Sequence, residues 1–369
     1  MRVILLAVAA LVAAAAPAAA YPRFVEATGA TTCGECHQSP TGGGLLTDYG
    51  RLEAGDTISR GGDGALLHGA WSPPSWLALG GDLRLAGLAK ADDADRTLAA
   101  FPMQADVAAA VVGKGFGFHL IVGLRGSART PRPPLVERLN SREHFLSYQR
   151  GDVYLRAGRF FSTLGLRLHD HTAAVRRYLG FGLQEEPYGV AGGVVRGDWE
   201  AHVHAFVPQP VPLLGAGPRA YGLAASYQRR IMDGLATVGV NARYAHGAED
   251  RRALVGAFGR RWFERAQVLF LGELDLQRQS FAAVDAPRWQ LASYLGAAKP
   301  LTRGVWLGLA LHRWQPDLGL RTARDAVELD LQLFPWAHAE LHWSTKAGAV
   351  GGDLDRPGVT SILQLHYYL

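Results

Sequence analysis

Strict two-residue alternation, carried over unusually long segments, is the feature that most restricts how this chain can fold. In Val327-Glu328-Leu329-Asp330-Leu331-Gln332-Leu333 apolar and polar residues take turns without a break. Phe270, Gly272, Leu274 and Leu276 alternate with Glu273, Asp275, Gln277 and Gln279, and the same pattern runs through Trp199–Ala205 and Leu363–Leu369. Period two means strands with one apolar and one polar face. Strands of soluble sandwiches average about five or six residues, whereas many here run to roughly ten, the length that crosses an outer membrane at a tilt. Division of Trp76–Leu369 at its turn signals yields about sixteen strands, an even number suited to a closed barrel. The predicted fold is all-β: a transmembrane antiparallel β-barrel preceded by a small N-terminal cap. Closure has a physical cause, because hydrocarbon leaves no partner for the N–H and C=O groups of an edge strand. A barrel of this size also encloses an aqueous lumen.

The connections support one orientation. Short turns are expected at Gly113–Gly117, Gln149–Asp152, Arg196–Asp198, Lys299–Gly304 and Phe334–Trp336, and longer loops at Thr130–Arg142, Phe161–Pro187, Pro208–Arg219, Gln315–Arg324 and Ala347–Gly358. Short periplasmic turns and long external loops give this asymmetry. Tyr148, Tyr154, Trp199, Trp262, Trp306, Trp343 and Tyr367 fall near strand ends, as interfacial girdles require. A hydrophobic content of 48% with 19% charged residues excludes a disordered chain. The net charge of +5, from 38 Lys+Arg against 33 Asp+Glu, is scattered and forms no basic stripe, so no nucleic-acid partner is expected.

Residues 1–20 read as an export signal: Arg2 supplies the positive start, Val3 to Ala15 the apolar core, and Ala18-Ala19-Ala20 a small-residue cleavage site. The mature chain then starts near Tyr21 in an oxidising compartment, where two cysteines would ordinarily pair. Both cysteines, however, sit in Cys33-Gly34-Glu35-Cys36-His37, the C-x-x-C-H pattern of c-type haem attachment. Thiols three positions apart can add to the two vinyl groups on one porphyrin edge, and the adjacent His37 becomes the proximal iron ligand. A thioredoxin-like site would need a βαβ context around Cys33, and a structural zinc site would need a second cysteine pair; neither is present in the sequence. The cofactor expected is one covalent haem c on residues 21–60, joined to the barrel (76–369) by a Gly/Pro-rich linker (61–75).

A sixth iron ligand would come from a methionine or a second histidine. Apart from Met1, the candidates are Met103, Met232 and twelve other histidines, of which His68 in the linker lies closest in sequence. In the long loop Phe161–Pro187, His169, Asp170 and His171 are candidate ligands for a divalent metal such as iron; the alternative is a charged, hydrogen-bonded constriction loop of the kind wide porins fold inward. His202, His204, His338, Glu340 and His342 fall on polar phases and are expected to face the lumen, as channel lining or as groups that tune a haem seated there.

Pro22-Arg23-Phe24, Thr28-Gly29, the Cys33–His37 motif, Ser39-Pro40-Thr41-Gly42-Gly43-Gly44 and Tyr49-Gly50-Arg51 together resemble the start of the fused mono-haem cytochrome–porins of bacterial outer membranes. In that family one c-type haem precedes or plugs a sixteen-strand barrel. Arg156-Ala157-Gly158-Arg159-Phe160 through Arg176-Arg177-Tyr178-Leu179-Gly180-Phe181 is similar to strand and loop sequence of related haem-bearing porins. The resemblance implies residence in the outer membrane, contact with its lipid, and haem attachment at Cys33, Cys36 and His37. It further implies electron exchange between an extracellular partner, such as the ferrous iron oxidised by the best-known members, and periplasmic cytochromes or other carriers. The alternative is a solute-transporting porin with a structural or sensory haem.

Overall fold

A computed structural model of the chain describes residues 22–93, 95–126, 134, 138–168, 170–182, 186–208, 220–349 and 357–369. The export signal, His169 and most of the loops Thr130–Arg142, Pro208–Arg219 and Ala347–Gly358 lie outside the described residues. Sixteen antiparallel strands form one closed barrel in which each pairs with its sequence neighbours and the last returns to the first. They are β1 Leu77–Asp92, β2 Arg96–Gly113, β3 Phe116–Arg125, β4 Leu139–Arg150, β5 Val153–Arg159, β6 Tyr188–Val195, β7 Trp199–Val207 and β8 Ala220–Ile231. The second half comprises β9 Ala236–Gly247, β10 Asp250–Phe263, β11 Val268–Phe281, β12 Val284–Thr302, β13 Val305–Gln315, β14 Arg324–Trp336, β15 Ala339–Gly348 and β16 Gly358–Tyr368. Closure is made by β1 against β16, from Asp82 opposite Tyr368 to Asp92 opposite Gly358.

The alternation sorts side chains between lipid and lumen. On β14, Val327 and Leu329 are exposed on the outer surface, while Glu328, Asp330 and Gln332 are buried inside. On β11, Phe270 and Leu274 face out and Glu273, Asp275 and Gln277 face in. The outer face, carrying Leu155, Val190, Leu295, Leu309, Leu363 and Leu365 among many exposed apolar residues, is that of a barrel seated in lipid. The barrel is an outer-membrane barrel.

Three expectations shift in detail. Tyr154 and Trp306 are buried inside rather than placed in an outer girdle, and Trp262 packs on an interior cluster, because a change of one position along a strand exchanges the two faces. His338 is not on a strand: β14 continues to Trp336, and His338 turns the corner into β15 with a φ of 67°. That corner accordingly lies two residues beyond the expected Phe334–Trp336 turn.

Two segments fill the lumen. Residues 22–70 enter from the short-turn end as a plug of short helices: α1 (Pro22–Thr28), α2 (Cys33–Cys36), α3 (Asp48–Glu53), a π-turn (Ala54–Ile58) and a 3-10 turn (Leu66–Gly69). It is tied to the rim by Arg60 N–H to Phe334 O at 3.0 Å, Arg303 Nε to Ser59 O at 2.7 Å and Ala337 N–H to Gly61 O at 2.8 Å. Deeper inside, Arg23 pairs with Asp330 of β14 at 3.1 Å, and the Arg51 guanidinium donates to Leu79 O of β1. Phe24 meets Trp306 and Phe334 edge-on at 5.4 and 5.6 Å between ring centroids. The second segment is the loop between β5 and β6, which folds inward and carries α4 (Ala174–Arg177). Leu164, Leu166, Leu168, Val175, Leu179 and Phe181 pack there against Phe206, Leu254, Phe258, Leu269, Leu271 and Trp314 of the wall.

Candidate haem-binding site

The Cys33–His37 motif is folded by its own neighbours. Thr32 caps α2, and the Glu35 carboxylate reaches back to accept from the N–H groups of Thr31 and Thr32 at 2.9 and 3.0 Å. This reciprocal capping holds a single helical turn that would not persist alone, and it sets Cys33 and Cys36 three positions apart on one face. His37 N–H closes the turn onto Cys33 O at 3.0 Å. The following chain doubles back: His37 bridges Leu46, Gln38 N–H donates to Leu45 O at 2.9 Å, and Thr47 N–H donates to Cys36 O at 2.9 Å. Gly42, Gly43 and Gly44, with φ of 80°, 80° and 63°, make that return possible. Gly50 of α3 lies so close that a Cβ there would stand 2.2 Å from Cys36 O. The Tyr49-Gly50-Arg51 run thus has a structural meaning: Gly50 admits the cysteine turn, and Arg51 fastens the plug to β1.

Both cysteines are free thiols. Together with His37 they line a cavity of about 960 Å³, its open side included, whose apolar walls come from Phe24, Val25, Leu46, Ala54, Ile58, Leu166, Phe334 and Tyr368. Arg167 and Arg260 bring guanidinium groups to the lining, and Glu53, Glu340 and His366 are among its other polar residues. Burial, assisted by the neighbouring Glu35, Cys33 and Glu53, pushes the Cys36 thiol up to about 11. Burial also lowers His37 to about 4, partly offset by the Gly44 and Gly43 backbone, so the imidazole is neutral and able to ligate a metal at physiological pH. His37 Nδ1 is enclosed without a hydrogen-bond partner. Two thiols on one helical face that are not joined to each other, a neutral histidine with an orphaned nitrogen, and an apolar chamber with cationic groups at its wall fit a covalently bound, propionate-bearing porphyrin.

The plug and the inward loop meet at this site. Arg167, in the left-handed region at φ 56°, donates to Cys33 Sγ at 3.1 Å and to Thr41 O at 2.7 Å, and pairs with Glu200 of β7 at 3.4 Å. Arg156 of β5 holds Ser39 and Thr41 at 3.2 and 3.0 Å and packs over Phe160 at 4.0 Å. The Arg156–Phe160 stretch is therefore where the barrel grips the plug.

The remaining candidates are distributed differently. His68 is exposed, its Nδ1 near Asp63 O at 3.2 Å and its Nε2 near Tyr367 at 3.4 Å, and it does not line the cavity. Met103 occupies the bulge of β2, where the pairing with β1 skips it, and it too stands apart from the lining. In the inward loop His169 lies outside the described residues, and Asp170 is engaged by a cation of the wall. It takes Lys346 Nζ at 2.8 Å and the Thr172 hydroxyl at 2.7 Å. Asp170, His312 and Glu328 do approach within 4.8 Å of one another, but the Lys346 ammonium already supplies the positive charge, 3.5 Å from Glu328. Burial lowers His171 to about 4, and Asp170 only partly opposes the change. Of the lumenal set, His202 bonds Tyr154 and Glu200, His204 meets Ser162 of the loop, and His342 bonds Asp330. His366, on the same inward phase of β16, is the cavity-lining imidazole that sequence reasoning did not single out; its alternation was visible, its place in the chamber was not.

No protein-family model and no curated protein matches the chain. Solved structures do match its fold. An outer-membrane channel, DcaP of Acinetobacter baumannii, superimposes with a TM-score of 0.59 at 13% identity, covering 81% of this chain and 99% of that one. A loop-deleted OmpT of Vibrio cholerae gives 0.58 at 12% identity over 79% and 99%. An anion-selective porin from Comamonas acidovorans gives 0.55 at 10% identity over 79% and 99%. At such identities the likeness is one of fold, and the fold is that of the bacterial outer-membrane porins.

Proposed function

We propose that the protein is an outer-membrane electron conduit of the mono-haem cytochrome–porin kind, in which residues 21–60 carry one covalent haem c inside the lumen and exchange electrons between an extracellular donor or acceptor and periplasmic carriers. The observation that carries this reading is the enclosure of Cys33, Cys36 and His37 in one chamber within the barrel. A bound haem iron would supply the one-electron couple. The chain's own residues would do the rest: the Cys33 and Cys36 thiols would hold the porphyrin edge, His37 would serve as a neutral ligand, and the plug, barrel wall and apolar loop core would surround it. The chamber's lining and its fixed hydrogen bonds would then tune the potential. Ferrous iron is one external donor compatible with this scheme.

A second reading, a solute-conducting porin with a structural or sensory haem, is favoured by the fold shared with channel proteins. Purified protein reconstituted in liposomes separates the two. A c-type spectrum that survives denaturation, reduction of an enclosed electron acceptor by an external donor, and low ion conductance are the expected results. Large conductance without electron flow would favour the porin, and an absence of covalent haem would overturn the electron-conduit reading.

A further inference from the structure

His366 is 3% exposed and projects inward from β16, with Glu340 of β15 and Arg84 of β1 as its cross-strand partners. Its Nδ1 lies 2.6 Å from Glu340 Oε2, and Glu340 Oε1 in turn accepts from Gln332 Nε2 at 2.7 Å. A carboxylate can only accept, so Nδ1 carries a proton, and in the neutral form of the ring the lone pair lies on Nε2. That Nε2 is buried and makes no hydrogen bond. The nearest acid, Asp82, has Oδ1 3.4 Å away and is gripped by the Arg84 fork at 2.9 and 3.1 Å. His366 lines the chamber that holds Cys33, Cys36 and His37 and, among the described residues, is the only other imidazole that does.

We propose that His366 Nε2 is the second axial ligand of the haem c held at Cys33 and Cys36, opposite His37, with Glu340 and Gln332 as positioning residues. A metal-bound histidine whose other nitrogen donates to a carboxylate is held in one orientation and made more basic, and Glu340 provides that partner before any metal arrives. The inference rests on the haem-binding reading and adds a consequence. The iron is six-coordinate and low-spin, closed to small ligands and suited to electron transfer rather than to ligand binding. The last strand of the barrel thereby completes a site begun by the first residues of the plug.

The test uses full-length protein matured with covalent haem. Wild type is expected to show the near-infrared and electron paramagnetic signatures of bis-histidine low-spin ferric haem, and its ferrous form to resist carbon monoxide. His366→Ala and His366→Gln are expected to convert to high spin and bind carbon monoxide, and added imidazole to restore the low-spin spectrum. His68→Ala and Met103→Ala are expected to leave it unchanged. Glu340→Gln keeps the low-spin state but raises the midpoint potential, which a merely structural role would not do. Heat-modifiable gel mobility checks that each barrel is closed. The wild-type spectrum alone needs no variant to fold: a histidine–methionine or open-site signature overturns the assignment. Covalent haem with an unaltered spin state in both His366 variants overturns this inference and leaves the haem-binding reading standing, whereas absence of covalent haem in wild type removes both.

Discussion

The two halves of the lumen are filled by different means. The inward loop between β5 and β6 brings Leu164, Leu166, Val175, Leu179 and Phe181 against Leu254, Phe258, Leu269 and Trp314 in one continuous apolar cluster, each large side chain so buried contributing about 1.5–3 kcal/mol. The plug instead touches the wall through small separate patches: Leu46, Ala54 and Tyr368; Leu45 with Ala108, Ala110 and Ile121; and Phe24 and Ile58 against Ala298, Trp306 and Phe334. Between these patches it relies on point contacts from Arg23, Arg51, Arg156 and Arg303, and it leaves the chamber open beside the cysteines. A loop packed dry acts as a fixed constriction. A plug held at its edges can keep a chamber of useful shape, since its contacts with the wall lie around that space rather than across it.

The largest effect should come from the chemistry of the void. Cys33→Ala together with Cys36→Ala is expected to abolish covalent haem completely, read by the pyridine haemochrome of denatured protein, while the barrel still closes and inserts. Loss of the barrel with the cysteines would erase the contrast, because the plug would then be a folding element rather than an occupant. Next comes the dry half. Leu179 is fully buried, and Leu179→Ala should weaken docking of the loop by about 2–5 kcal/mol through lost transfer and the cavity left behind. Hydrogen exchange at the α4 amides measures it, with haem content expected to stay at the wild-type level. An effect below about 1 kcal/mol would mean that the loop is not a dry core.

Much of this arrangement was legible because two of its signals are local. Alternation reads directly as lipid and lumen faces, as Glu328 and Val327 show, and the C-x-x-C-H motif is contiguous, so Cys33, Cys36 and His37 could be singled out as candidates without tertiary information. What could not be read depends on closure and register. His366 meets Glu340 only because β15 pairs with β16, and meets Arg84 only because β16 returns to β1. Tyr154 and Trp306 looked like girdle residues because nearness to a strand end is visible while the face is lost to a one-residue slip. The contact of Asp170 with Lys346, on a strand far along the sequence, was not legible either, because it depends on the loop folding inward.

The close approach beneath the motif gives a smaller perturbation. In Gly50→Ala the new methyl would meet the Cys36 carbonyl at 2.2 Å, a backbone atom that cannot swing aside, and relief requires α3 to move from α2 at a cost of about 1–3 kcal/mol. Lowered haem yield and earlier proteolysis within residues 22–60 are the expected signs, with the inward loop undisturbed. An unaffected plug would show that the two helices are not held as tightly as drawn.

The smallest effect is expected from pH, and its sign distinguishes the halves once more. Burial works against ionisation of Asp170, but the Lys346 ammonium, aided by His312 and His171, more than offsets it and holds the carboxyl well below its ordinary value of 3.8. A carboxyl whose folded value is depressed contributes stability that is complete above its unfolded value and is lost as pH falls through the folded one. The Asp170–Lys346 part of the latch should accordingly be constant down to about pH 4 and be lost only below that, whereas His171, lowered to about 4 by burial, withdraws stability as pH falls below its ordinary 6.5. Single-channel conductance read against pH provides the test, since an undocked loop widens the pore. In Lys346→Met the carboxyl stays buried without its cation, its folded value rises, and the loosening begins at a higher pH than in wild type. Loosening that began at the same pH in Lys346→Met as in wild type would break the assignment, because that shift reports the Asp170–Lys346 pair alone.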